Sequence, residues 1–365
     1  MNSVRKLSRK SISIFLVAVL LIGVSGFFFL GRYAYFAAGT VTCGVSGEYS
    51  DLNNNPSNFT LDWDKYADLE FSKFFIDSYE SFNVIDGDIT LSGWWFENPS
   101  SEKTVIVLHG VGSSKQSAGV LLSAGMLHKQ GFNVAVYDYQ DHGQSTCIDK
   151  VHGAGVHEAY NTAAVINWLV EEQNKSFDNI GLLGFSLGAM VALNTHATSI
   201  DFSSSLVVDP PVDFDTILRE ELEYQGVPSI VASALRFYWF ATTGDSIDEI
   251  TPQKALAIGN KQELLIVSNL LDERVLPHHR DDLVEIANDL NIEHSIIYYD
   301  DFGHVENIYG AIAGGAGAKR ALLGRLPFRL RGEGIFVEAR MRPGATGRAT
   351  NCGALLPAVR RKSAL

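Results

Sequence analysis

Residues 180–192 read IGLLGFSLGAMVA and combine a strand signal, a Gly-x-Ser-x-Gly motif and a helix signal. The first six residues are nearly all apolar, as expected for a short strand covered on both faces of a parallel sheet. Ser186 follows between Gly184 and Gly188, and a serine at a tight strand-to-helix turn needs such small neighbours. The start of the helix favours developing negative charge. We therefore interpret Ser186 as a candidate nucleophile.

Short apolar segments alternate with helical ones on both sides of this motif. The alternation predicts an α/β fold with a mostly parallel, eight-stranded-type sheet and helices on both faces. A hairpin comes first, since Ser81–Ile85 and Ile89–Phe96 flank the turn signal Asp86-Gly87. The remaining predicted strands are Thr104–Leu108, Asn133–Tyr139, Ile180–Phe185, Ser205–Val208, Glu263–Val267 and Ser295–Tyr299.

Helical spacing of apolar residues predicts helices over 156–172, 214–224 and 277–290. The segment at about 210–261 is too long for a simple crossover between strands, so we interpret it as a small helical cap over the sheet's C-terminal edge. Its aromatic run, Phe237–Phe240, could line a substrate pocket, but it is expected to pack the cap onto the core.

A serine nucleophile needs a base that removes its proton and an acid that orients the base. The loop after the next-to-last predicted strand contains Asp272, and the loop after the last one contains His304. Both loops leave the edge of the sheet that carries Ser186, in the chain order Ser, Asp, His. Glu273 and Asp209 are alternative acids.

An acyl-transfer reaction also needs N–H donors for the oxyanion. The N–H of Leu187, directly after the candidate nucleophile, is the first candidate. The loop at 109–112, His-Gly-Val-Gly, follows a predicted strand and offers the N–H of Val111 as the second. His109 is expected to brace this loop rather than to react.

The sequence gives no sign of a metal or an organic cofactor. Its histidines and cysteines lack metal-ligand spacing, and it contains neither a phosphate-binding loop nor a dinucleotide fingerprint. The net charge of −13 argues against a nucleic-acid partner. Cys43 and Cys147 could pair in an oxidising compartment or remain two free thiols.

Five segments together resemble the α/β-hydrolase superfamily, and most closely its serine aminopeptidase S33-like, bacterial esterase-like branch. They are LHGVGSSK at 108–115, YDYQDHGQS at 137–145, GFSLGA at 184–189, DERV at 272–275 and GH at 303–304. The resemblance covers about residues 75–310. Gln140 stands where the similar loop of that branch has Arg, which removes a buried cation.

The resemblance implies hydrolysis of an ester or amide, in a small molecule or a peptide, through an acyl-enzyme on Ser186. His304 would act as general base and acid, Asp272 would orient it, and no cofactor would be needed. Two alternatives remain: a non-catalytic binding protein with the hydrolase fold, and an acyltransferase in which an alcohol or amine replaces water.

The N-terminus has the pattern of a membrane anchor. Residues 1–10 carry basic side chains and no acid, and residues 11–32 contain 20 uncharged positions from Ser11 to Leu30. A helix of that length spans about 30 Å, the thickness of a bilayer core. The positive charges predict a cytoplasmic N-terminus and an extracytoplasmic catalytic domain. The alternative is secretion after signal-peptide cleavage near residues 37–39.

The remaining boundaries follow from composition. Residues 33–74 are expected to be a linker and approach, and 75–310 the hydrolase domain. Residues 311–365 contain 11 Lys and Arg against 2 Asp and Glu, whereas the preceding residues have 18 against 40. This Gly-, Ala- and Arg-rich tail is anomalous at a place where a final helix is expected. It is either a frameshifted or fused segment or a native basic tail.

Overall fold

The computed structural model describes residues 9–44, 53–243, 246–259, 262–310 and 312. The anomalous tail predicted at 311–365 therefore lies outside the described residues, except for Ile312.

One sheet of eight strands organises the described part of the chain, in the order β1-β2-β4-β3-β5-β6-β7-β8. β1 and β2 form an antiparallel hairpin, β2 pairs antiparallel with β4, and the six strands from β4 to β8 are parallel. The strands are β1 Glu80–Asp86, β2 Ile89–Phe96, β3 Thr104–Leu108, β4 Asn133–Tyr137, β5 Ile180–Phe185, β6 Ser204–Val208, β7 Glu263–Asn269 and β8 His294–Tyr299. The predicted fold class is confirmed.

Helices cover both faces of the sheet and its C-terminal edge. They are α1 Arg9–Gly39, α2 Ala118–Lys129, α3 His157–Glu171, α4 Leu187–Asn194, α5 Phe214–Tyr224, α6 Ile230–Thr243, α7 Pro252–Ile258, α8 His278–Asp289 and α9 Asn307–Gly310. After His304 the described chain thus has only a four-residue helix.

Two of the predicted boundaries that differ from the structure have a clear physical reason. The hairpin turn consists of Gly87 and Asp88, since Asp86 still pairs with Ile89. Gly87 takes the positive φ of 58° that this tight turn requires. Strand β4 ends at Tyr137 rather than at residue 139, because Asp138 turns inward to a buried lysine.

The sheet separates two apolar cores, which explains why its central strands are mostly apolar. On β3, Ile106 and Leu108 face one core, and Val105 and Val107 face the other. Successive side chains of a strand point to opposite faces, so both faces of a strand covered on both sides favour apolar residues.

Helix α1 continues past residue 32, the predicted end of the membrane segment, and ends at Gly39. The extension packs against the cap helix α6, where Ala34 and Tyr35 are buried with Tyr238 and Trp239. These contacts stabilise helical structure in residues that were expected to begin the linker. The cap aromatics therefore bind α1, rather than attaching the cap to the sheet core as predicted.

The chain after α1 is also tied to the domain. Cys43 and Cys147 form a disulfide with a Cα–Cα distance of 5.9 Å, and the N–H of Val41 donates to the carbonyl of Lys150. Further along the approach segment, Phe59 is buried against Phe71, with ring centroids 5.5 Å apart. Within the described residues, much of the expected linker is thus packed structure.

A buried ion pair fixes the loop after β4. Lys115 and Asp138 have fully buried side chains, and Lys115 Nζ lies 2.8 Å from Asp138 Oδ2. The other carboxylate oxygen accepts from the N–H of Lys115 at 2.7 Å. Although Gln140 replaces the expected Arg, this loop has a buried cation after all, and the cation comes from Lys115.

Replacing Lys115 with Met should lower the free energy of unfolding by about 3–5 kcal/mol, because the substitution leaves Asp138 buried without its cation. Thermal or urea unfolding followed by tryptophan fluorescence measures the loss. Lys150→Met, at an exposed position, is the matched control and should change stability by less than about 0.5 kcal/mol. Equal stabilities of the two variants would contradict the assignment.

Candidate active site

Ser186 sits at the turn between β5 and α4 in a strained backbone conformation. Its φ is 53° and its ψ is −118°, and its N–H donates to the carbonyl of Val208 on the neighbouring strand. A Cβ on Gly188 would lie 2.2 Å from the carbonyl oxygen of Leu108, and one on Gly184 would lie 2.1 Å from the carbonyl oxygen of Gly188. The turn therefore needs both glycines, and it lifts the serine out of the sheet.

His304 and Asp272 are joined by a short hydrogen bond. His304 Nδ1 lies 2.6 Å from Asp272 Oδ2. Asp272 is buried, and its other oxygen accepts from the N–H groups of Arg274 and Val275 at 2.8 and 2.9 Å. This arrangement fixes the carboxylate, and the carboxylate in turn fixes the imidazole with Nε2 free to exchange a proton.

Ser186 and His304 line the same cavity, which has a volume of about 660 Å³. Val111 and Leu187, the two predicted oxyanion residues, also line it. The structure thus brings four of the predicted site residues to one cavity, with Asp272 buried behind the histidine. Glu273, the neighbouring alternative acid, is exposed.

Asp209, which the sequence offered only as an alternative acid, lies beside the pair of Asp272 and His304. It lies buried at the end of β6 with a φ of 47°. Its carboxylate accepts from the N–H and the side-chain amide of Asn269 and from the N–H of Val305, at 2.7–2.8 Å. Asp209 therefore holds the residue after His304. The sequence signal that could have indicated this role is the position of Asp209 at the end of β6, the strand next to β7.

Burial, and after it the charge of Asp272, raises the pKa of Asp209 to about 6. The cluster of Asp209, Asp272 and His304 places carboxylate and imidazole atoms within 4.8 Å of one another. Its carboxylates are hydrogen-bonded to named N–H donors, which is the pattern of an orienting acid rather than of open metal ligands.

Glu306 anchors the same loop to the approach segment, and the sequence analysis missed it. It accepts from Lys65, from the hydroxyl of Tyr66 at 2.8 Å and from the N–H of Gly303 at 2.8 Å. Burial opposes ionisation, but these donors, Lys65 first, lower the pKa of Glu306. The partners are about 240 residues apart, so no local pattern could have revealed them.

His109 is buried beneath the loop at 109–112, which is predicted to supply the second oxyanion N–H. Burial lowers its pKa to about 3, with the nearby His142 as the second cause. Its Nδ1 lies 2.9 Å from the carbonyl oxygen of Gly110, and its ring packs against Tyr139. The ring is thereby placed to stiffen the backbone next to Val111.

A second cluster links the cap to α8. Glu220 on α5 lies within hydrogen-bond distance of His278 Nε2 and His279 Nε2, at 2.5 and 2.9 Å. Imidazole and carboxylate atoms within 4.8 Å of one another could hold a metal ion. The hydrogen bonds alone explain why these three side chains lie together, as a contact between the cap helix α5 and α8.

The raised pKa of Asp209 predicts a pH-dependent contribution to stability. The folded state binds this proton more tightly than the unfolded state, so the contribution is most favourable below about pH 4 and falls as the pH rises through about 6. Relative to Asp209→Asn, which cannot ionise, the wild-type free energy of unfolding should fall by up to about 3 kcal/mol between about pH 4 and pH 7.

Urea unfolding of the two proteins across this pH range measures the difference. Asp88→Asn removes an exposed carboxylate in the hairpin turn and should give a difference from wild type that varies little with pH. A pH-independent difference for Asp209→Asn would show that Asp209 does not carry the raised pKa.

Comparisons with known proteins agree with this architecture. Residues 99–217 match the family model described as serine aminopeptidase, S33. Among solved structures, the esterase Pf2001 of Pyrococcus furiosus is similar in three crystal forms, with identities of 24–25% and TM-scores of 0.51–0.53. One form covers 70% of this chain and 91% of its own at 25% identity; another covers 63% and 84% at 24% identity. The chain therefore has the α/β-hydrolase fold, and over residues 99–217 it is similar to the serine aminopeptidase S33 family.

Proposed function

We propose that the chain is a serine hydrolase that cleaves an ester or amide bond through an acyl-enzyme on Ser186. The observation that carries this proposal is the position of Ser186, at a strained strand-to-helix turn on the wall of the cavity that also holds His304. The hydrogen bond from His304 to buried Asp272 supplies the orientation that a general base needs.

The proposed reaction has two stages. Ser186 Oγ attacks the substrate carbonyl while His304 Nε2 takes the hydroxyl proton, and the N–H groups of Val111 and Leu187 stabilise the oxyanion. The imidazolium then gives its proton to the leaving alcohol or amine, which departs as the acyl-enzyme forms. Water adds to the acyl group with His304 again as base, and the acid product leaves Ser186 free.

The proposal extends to the membrane. Residues 10–39 form one helix whose most apolar 18-residue stretch has a mean hydropathy of 2.7, and the side chains of that stretch are exposed. Water would solvate this surface poorly, whereas a bilayer core would match it. We therefore propose that α1 anchors the protein by a single crossing.

Two observations support an uncleaved anchor with an extracytoplasmic catalytic domain. Cleavage near residues 37–39 would remove Ala34 and Tyr35, which are buried against the cap. The disulfide between Cys43 and Cys147 is of the kind that persists in oxidising compartments outside the cytoplasm. The basic N-terminus predicts the same orientation.

A fluorophosphonate probe tests the catalytic proposal. The wild-type protein should be labelled and Ser186→Ala should not, because the probe phosphonylates only an activated serine. With an activated ester, Ser186→Ala and Asp272→Asn should each lower kcat by about 10⁴-fold or more. Ser100→Ala, in an exposed loop, is the control and should match the wild type.

Equal labelling of wild type and Ser186→Ala would contradict the assignment of the nucleophile. A wild type that neither labels nor hydrolyses any ester or amide would favour the non-catalytic alternative. Product analysis with an added alcohol separates hydrolysis from acyl transfer, since a transferase forms the new ester in preference to the free acid.

A further inference from the structure

The apolar helix α1 contributes a wall of the cavity that contains Ser186. Its residues Leu30, Ala34 and Ala38 line the cavity, together with the cap residues Leu222 and Leu235. From Leu30 to Ala38 the helix extends about 12 Å along its axis. A segment whose N-terminal part has the pattern of a membrane anchor is thus also part of the binding site.

Close packing holds α1 against the cap helix α6. A Cβ on Gly31 would lie 2.0 Å from the carbonyl oxygen of Ala234, so the two backbones approach as closely as a glycine permits. Aromatic rings pack on α6 before and after Gly31 in the sequence. The ring centroids of Phe28 and Tyr35 lie 5.1 and 5.4 Å from the ring centroid of Tyr238. The wall that α1 contributes is therefore fixed rather than loosely apposed.

Two residues of the cavity wall are also exposed at the end of the apolar span. Leu30 and Tyr33 line the cavity and are also 39% and 73% exposed. On α6, which packs against α1, Phe237 and Phe240 are 42% and 62% exposed. A tyrosine in a position such as that of Tyr33 is typical of a membrane interface. Part of the cavity wall is thus formed by side chains that remain exposed at the end of the apolar span.

The charged residues of the described cavity wall are already paired. Glu221 accepts from Arg274 at 2.6 Å, and burial lowers the pKa of His152, which disfavours its charged form. The α-amino group of a peptide would need a free carboxylate here. The cavity instead has a mostly apolar wall, and its volume is in the usual range for small-ligand sites.

From this geometry we propose that the substrate is a long-chain acyl ester, taken from the bilayer that holds α1 through an opening beside Leu30 and Tyr33. The proposal rests on the serine hydrolase function above. The acyl chain lies between α1 and the cap, the ester carbonyl reaches Ser186, and one water is consumed to release a fatty acid and an alcohol.

Full-length protein in phosphatidylcholine vesicles provides the test, with butanoyl, octanoyl, dodecanoyl and hexadecanoyl esters of one alcohol as probes. kcat/KM should rise with chain length, by up to about fourfold for each methylene that contacts the apolar wall. The hexadecanoyl ester should be hydrolysed much faster when it is placed in the protein's own vesicles than when it is supplied in separate vesicles.

Variants of α1 test whether the acyl chain lies along this helix. Ala38→Trp adds bulk on the cavity wall and should lower the ratio of hexadecanoyl to butanoyl kcat/KM by at least about tenfold, the loss of two methylene contacts. Ala18→Trp makes the same change on an exposed part of α1 away from the cavity and should leave the ratio at its wild-type value. Leu30→Trp is a second blocking variant should Ala38→Trp fold poorly, which its thermal midpoint reports.

The outcomes separate the two proposals. Fluorophosphonate labelling of Ser186 with no dependence on chain length, or a ratio unchanged in both blocking variants, would overturn the long-chain substrate and leave the serine hydrolase intact. Equal rates from the same and from separate vesicles would overturn delivery from the bilayer. Absence of both labelling and ester hydrolysis would overturn the hydrolase itself.

Discussion

The parallel register of β5, β6, β7 and β8 is the constraint on which the candidate site depends. Phe185 pairs with Val208, Val208 pairs with Val267, and Val267 pairs with Ile297, so these strands end at one edge of the sheet. Each strand is followed at that edge by a residue of the site. Apolar packing on both faces holds the register, because a slip of one residue would exchange the side chains of the two cores. The packing of the core, and not only the loops, therefore determines where the candidate site residues lie.

Two acidic side chains lie close together at that edge. Their burial and their proximity to each other cost free energy when both are charged. Asp209 and Asp272 are both buried, and burial together with the charge of Asp272 raises the pKa of Asp209 to about 6. Backbone N–H donors on neighbouring strands and loops offset this penalty. The resulting network fixes the loop of His304 from one side, while Glu306 fixes it from the approach segment. A histidine base on a long loop needs such support to keep its orientation.

The sequence was sufficient to predict the fold class and to name the residues that the cavity brings together. Apolar strands, a glycine-flanked serine and loop positions after successive strands are local signals, and Ser186 and His304 were found by them. Asp209 as a loop support and the Lys65–Glu306 contact depend on pairings distant in sequence, which periodicity cannot report. Likewise, the apolar run of residues 11–30 predicts a membrane helix, but hydropathy cannot show that its continuation packs on α6 and lines the cavity. The residues from 313 onward lie outside the described part of the chain.

One cavity is lined by Ser186, by the proposed oxyanion residues Val111 and Leu187, and by helix α1. The most direct measurement is an experimental structure of the full-length protein after reaction with a long-chain alkyl fluorophosphonate. The account predicts phosphorus bonded to Ser186 Oγ, the phosphoryl oxygen within hydrogen-bond distance of the N–H groups of Val111 and Leu187, and the alkyl chain between α1 and the cap. An adduct on another residue, or an alkyl chain that leaves the cavity away from α1, would contradict it.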